Sequence, residues 1–253
     1  MFPLPMLKTI PVDLDSMDSR YTVLYHLAFM KNTILRALNN IHAHARKLQP
    51  DDPRLSGFLE YTAGCCDVLA LHIHTDQRLF RAPILADVAL EKLLSDGCVQ
   101  NMDKVLKGAN RLKKLAKKYA RDPGEYNGDR FVTRLSFGVE FAARSWAQLH
   151  SIDATLLESA CSEAEMRDCL RRIIASFLDQ SDAAFLIPFI HSHHDRETSK
   201  HWPSISPEVR MTIPCLAKVY SRSWELAPFD VSTGRQRTSP EAPIPLLNVY
   251  PTF

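Results

Sequence analysis

Apolar residues recur at intervals of three and four along most of the first 180 positions, the period of helices with one buried face. Asp15–Arg20 offers Asp and Ser side chains suited to a helix cap. Tyr25, Phe29, Ile34, Leu35, Leu38 and Ile41 then predict a first helix to about Arg46. Gln49-Pro-Asp-Asp-Pro53 reads as a turn. A second helix runs from about Arg54 to Phe80, with Leu55, Phe58, Leu59, Val68, Leu69 and Leu71 inward and Pro83 ending it. Residues 86–96 suit a short helix before Gly97. A third helix covers about 98–121, closed by Asp122-Pro-Gly124, and a fourth runs from Asn127 or Asp129 to Glu158. Ser162 with Glu165 has the capping-box spacing and starts a fifth helix to about Leu178.

After residue 180 the pattern is lost. More than half of the 16 prolines lie there, with clustered histidines and short aromatic patches. The expectation is an all-α chain in two parts. An up-down four-helix bundle with an additional helix covers 19–180, and an irregular C-terminal extension, 181–253, packs on it.

Composition changes this picture little. The chain has 253 residues, 45% hydrophobic and 24% charged, with a formal charge of +2, so no general basic field argues for nucleic acid. The basic run Lys104–Lys118 reads as a solvated helix face. The cysteines at 65, 66, 98, 161, 169 and 215 form no Cys-x-x-Cys, which fits free thiols in a reducing, cytoplasmic setting. Met1–Lys8 lacks the charged start and long apolar run of a secretory signal, and no stretch approaches a membrane span. Gly-x-Ser-x-Gly, Gly-x-Gly-x-x-Gly and Walker-type loops are absent, which leaves hydrolase triads and nucleotide cofactors without their usual cradles.

Three groups of residues carry a resemblance. Asn32-Thr-Ile-Leu-Arg-Ala-Leu-Asn39-Asn-Ile41 and His72-Ile-His-Thr-Asp76-Gln-Arg-Leu-Phe80 are the first two. The third is a tail series: Pro188 to Arg196 through His194-Asp195, Trp202-Pro203, Trp224 to Asp230, and Gly234. Together they resemble the fungal hemerythrin-like (HHE cation-binding) proteins over most of residues 20–237. The resemblance implies a di-iron site held by five His and two carboxylates. At those positions this chain has Lys31, His72, Asp76, Met102, Leu106, Gln148 and Ile152. A shift of two on the fourth helix recovers His150 but places Ala154 at the carboxylate position.

Met, Leu and Ile give a metal nothing useful, and an ammonium repels a cation, so neither metal nor other cofactor is expected. What remains is a cavity with an ionisable wall (Lys31, His72, Asp76) and an apolar wall (Met102, Leu106, Ile152), with Gln148 as a hydrogen-bonding amide. His74, His150 and His194 are further candidates at its edge. Such a cavity suits a hydrophobic small molecule with a carbonyl or hydroxyl to be polarised or deprotonated. The resemblance adds the setting: fungal natural-product biosynthesis, with a cofactor-free cyclisation, isomerisation or dehydration using Lys31, His72 and Asp76.

Two other readings stay open. A buried Lys–Asp pair can fill a lost metal site as an inert network, leaving a non-catalytic carrier or scaffold. A residual metal site for oxidative chemistry is the third. The His191, His193, His194, Asp195 cluster reads as structural or as a lid on the pocket, and His42 and His44 as surface residues.

Overall fold

The computed structural model describes residues 1–9, 14–81, 83–85, 88–94, 98–195, 202 and 206–237. The order is α1 (Ser19–Ala45), α2 (Leu55–Arg81), β1 (Pro83–Leu85), β2 (Val88–Ala89), α3 (Leu90–Leu93), α4 (Asp103–Arg121) and α5 (Gly128–Arg134). Then come α6 (Phe137–His150), α7 (Ala154–Ala160), α8 (Glu163–Asp179), α9 (Ala183–His193) and α10 (Pro207–Val219). Apart from the antiparallel β1–β2 ribbon and isolated bridges such as that between Phe229 and Gln236, the regular structure of the described residues is helical. No single described helix is long and apolar enough to cross a membrane.

α1 is the axis. Asp18 caps it by accepting from the Arg20 amide at 2.9 Å. Every residue from Leu27 to Leu35 is buried, so this stretch is covered on all sides rather than on one face. α2, α6, α8 and α9 pack around it, and α4 lies along α2. Full enclosure has a consequence for Lys31, Asn32 and Thr33: each polar group must find a partner inside the protein. Thr33 uses the Phe29 carbonyl (3.0 Å). Asn32 and Asn39 clasp the leading segment of the chain, and Lys31 meets α2.

Several expected elements differ in detail. The third helix starts at Asp103, not 98, where the Asn101 side chain accepts from the Asp103 amide (2.9 Å). The single fourth helix is three. A turn at Leu135–Ser136 separates α5 from α6, and Leu135 and Phe137, which a helix with one buried face would turn about 200° apart, are both buried. Asp153 then turns its carboxylate onto the Thr155 amide (2.9 Å), starting α7 afresh. The capping box at Ser162 and Glu165 is present.

The short helix expected in 86–96 is confined to α3, and Val88–Ala89 pairs as strand instead. Residues 86, 87 and 95–97 lie outside the described residues, as do Arg196, Pro203 and 238–253.

The extension is not irregular throughout. α9 and α10 occupy it despite internal Pro188 and Pro214, which a sequence pattern reads as breaks. Two glycines seven apart on α2 admit this part of the chain. A Cβ at Gly64 would lie 2.2 Å from the Phe185 ring, and one at Gly57 2.3 Å from the Arg222 carbonyl oxygen. Trp224 is buried against the Phe185 ring (centroids 5.0 Å apart) and donates to the Ala217 carbonyl at 3.2 Å.

Arg36 closes the end of α9 by donating to the His193 carbonyl at 2.5 Å. Because the atom facing Gly57 is backbone, it cannot rotate away. Gly57→Ala is expected to cost about 1–3 kcal/mol in urea unfolding through forced displacement of the 221–224 turn. Unchanged stability would show that α2 and the 221–224 turn leave room for a methyl group.

Candidate functional site

His72 and Asp76 stand one turn apart on the face of α2 turned toward α1, where four-residue spacing brings side chains together. Lys31 reaches them from α1, and none of its surface is exposed. Its ammonium donates to the Asp76 carboxylate and to His72 Nε2, the latter at 3.1 Å. An ammonium has only donors, so Nε2 must be the bare nitrogen of His72 and Nδ1 must carry its proton. Nδ1 lies 3.5 Å from the other Asp76 oxygen. The group is therefore closed on itself, with one positive charge, one negative charge and one neutral imidazole.

Burial pushes the His72 pKa down to about 4; the Asp76 carboxylate opposes this and the Lys31 ammonium adds to it. His72 is thus neutral across the physiological range. An isolated charge at this depth would be very unfavourable, and the pair is tolerated because each member answers the other.

A cavity of about 10 Å³ adjoins the group, walled by His72, Asp76, Ile73, Phe80, Met102, Phe141 and Gln148. Gln148 donates from Nε2 to the Cys98 carbonyl at 2.9 Å, while its buried Oε1 has no hydrogen-bond partner among the described residues. A volume of this size admits about one water molecule. Organic ligands occupy clefts of about 300–1,000 Å³.

The remaining candidates are dispersed. Leu106 is half-buried and Ile152 buried; both belong to the general core and neither lines the cavity. His74 is exposed, because two residues along a helix turn a side chain by about 200° away from His72. His150 is also exposed. It stacks on Trp146 at 3.8 Å, with Nδ1 2.9 Å from the Trp146 carbonyl. His194 is buried beside Trp202, with ring centroids 5.4 Å apart, and is outside the cavity wall.

The residues present do not fit the di-iron centre implied by the resemblance. Lys31, Met102, Leu106 and Ile152 supply no donor, and among the described residues no group of three or more His, Cys, Asp or Glu could hold a metal ion.

Sequence reasoning missed six residues of the cavity wall: Ile73, Phe80, Val99 and Phe141, which carry no chemical signature, and the amides Gln77 and Gln100. It also treated His193 only as part of a cluster. His193 is fully buried, and its Nδ1 donates to the Phe189 carbonyl at 2.8 Å. Nε2 therefore accepts from the Tyr61 hydroxyl at 2.6 Å. Burial pushes the His193 pKa down to about 3.

No family model, curated protein or solved structure matches this chain.

Two of the buried histidines, His72 and His193, make stability depend on pH. Unfolded, each takes a proton near the ordinary histidine value of 6.5; folded, each resists until about 4 or 3. Falling pH therefore favours the unfolded state, and stability present above pH 6.5 is lost on the way down to 4. Each histidine should contribute a loss of about 2 kcal/mol between pH 7 and pH 5. Urea titrations at the two pH values check this, and His72→Gln should remove about half of the difference. A wild-type stability that is flat over this interval would show that the imidazoles are not held neutral.

Proposed function

We propose that this chain is a metal-independent, hemerythrin-like helical bundle that works as a non-catalytic scaffold, with Lys31, His72 and Asp76 as its structural centre. One observation carries the reading: the ionisable group is buried and mutually paired, beside space for a single water. An ammonium at this point supplies the positive charge that a bundle-bound cation would otherwise bring, and it does so covalently, without exchange. A catalytic acid or base has to face its substrate within hydrogen-bond reach, and here the reach is spent on partners within the protein.

A second reading has its own support. His72 is neutral at physiological pH, and the free Gln148 Oε1 meets an apolar wall that includes Met102 and Phe141. Perturbed titration beside an unsatisfied acceptor is a mark of working sites. In this alternative, cofactor-free acid/base chemistry acts on a hydrophobic metabolite (a cyclisation, isomerisation or dehydration), and Phe80, Met102 and Phe141 must move aside to admit it.

The two readings differ in how exposed the Lys31 ammonium becomes. In 15N-labelled protein, the Lys31 Nζ protons should exchange slowly with water and stay unshifted when small apolar ketones are added. Fast exchange, with shifts of the Lys31 and His72 resonances on ketone addition, would support the acid/base reading and overturn the scaffold. Elemental analysis of purified protein should find no stoichiometric iron, and two irons per chain would overturn both readings.

A further inference from the structure

Segment 1–9 is held in a way that belongs to peptide recognition rather than to ordinary packing. Asn39 accepts from the Leu4 amide (2.6 Å) and donates to the Leu4 carbonyl (2.9 Å). Asn32 does the same at Leu7, at 2.7 Å in each direction. All four bonds go to backbone. The asparagines are seven apart on α1, about 10.5 Å along the helix axis. Residues 4 and 7 of an extended chain are about 10 Å apart. Two turns of α1 therefore match three residues of extended peptide, and the segment runs antiparallel to the helix.

Side chains add selectivity to this backbone clasp. Leu4 is fully buried and would lie 3.1 Å from a Cβ at Gly138; Met6 and Leu7 are buried as well.

Beside the clasp is an open apolar recess of about 340 Å³, bounded by Met1, Leu4 and Pro5 of the segment and by Val139, Ala142, Ala143 and Trp146 of α6. Met1 is 98% exposed, and Val139 and Trp146 are 41% and 36% exposed.

We propose that this seat accepts segment 1–9 from a second copy of the chain, so that two copies exchange their segments reciprocally. The inference goes beyond the scaffold reading and does not depend on the role of Lys31. Exchange keeps every clasp bond and every socket contact, one for one, because neither Asn32 nor Asn39 distinguishes its own chain from another. The surplus comes from the recess. In the exchanged dimer the recesses of the two copies are covered, and covering Val139, Trp146 and Met1 removes apolar surface that one copy leaves in water.

The test uses the full chain and a fluorescent peptide with the sequence of residues 1–8. In a Leu4→Asp chain the resident segment is weakened while both asparagines remain. This protein should bind the peptide about tenfold more tightly than wild type, where the tethered segment competes at high effective concentration. Adding Asn39→Ala should abolish binding.

Sedimentation of wild type should show a monomer–dimer equilibrium as concentration rises toward about 1 mM, the scale of an intramolecular competitor. Trp146→Arg should shift that equilibrium toward monomer. Absence of peptide binding by Leu4→Asp protein with a native circular-dichroism spectrum overturns the proposal. So does a wild-type chain that stays monomeric throughout. If Leu4→Asp does not fold, Leu7→Ser replaces it and the sedimentation result still decides.

Discussion

The structure depends on a lysine ammonium with no exposed surface. Lys31 sits midway along a helix enclosed on every side, and its charge is offset by one carboxylate and one imidazole nitrogen on α2. Charges in a protein interior are tolerated only when both sign and geometry are answered. That requirement fixes the register of α1 against α2, since a shift of one residue on either helix would separate the partners. It also fixes the protonation of His72, which must stay neutral to accept from the ammonium. The apolar wall of Ile73, Phe80 and Phe141 then closes around a group that already has its partners, leaving about 10 Å³.

Much of this was legible in the sequence, for particular reasons. His72 and Asp76 share a face because of their spacing, and the resemblance placed Lys31 opposite them. Met102 and Gln148 reached the cavity wall from helices drawn with other boundaries. His74 and His150 did not, because the helical period turns each away from the residues beside it. Leu106 and Ile152 were assigned to a wall that other apolar residues form, and an apolar side chain carries no mark of the cavity it lines. α9 was read as irregular because Pro188 counts against a helix locally. In the folded protein its burial between α1 and α2 outweighs the lost hydrogen bond. The clasp by Asn32 and Asn39 was present as two polar residues inside an apolar stripe, a signal read only as part of a family motif.

Enclosure separates two questions that the sequence joins. The chain has the ingredients of acid/base chemistry, and it has them in contact. The carboxylate and the imidazole nitrogen are both engaged by Lys31, and the proposed scaffold role rests on that engagement. The surface offers more room than the interior does. The recess beside segment 1–9 is about 340 Å³, against about 10 Å³ at the centre.

The decisive measurement is a double-mutant cycle on the central pair, read by urea unfolding at pH 7. Lys31→Met and Asp76→Leu each leave one buried charge alone, and each single change should cost about 3–5 kcal/mol. The double variant removes both charges and should be far more stable than the sum of the two losses implies, with a coupling of about 3 kcal/mol or more between the sites. Losses that simply add, or single variants as stable as wild type, would contradict a structure organised around this pair.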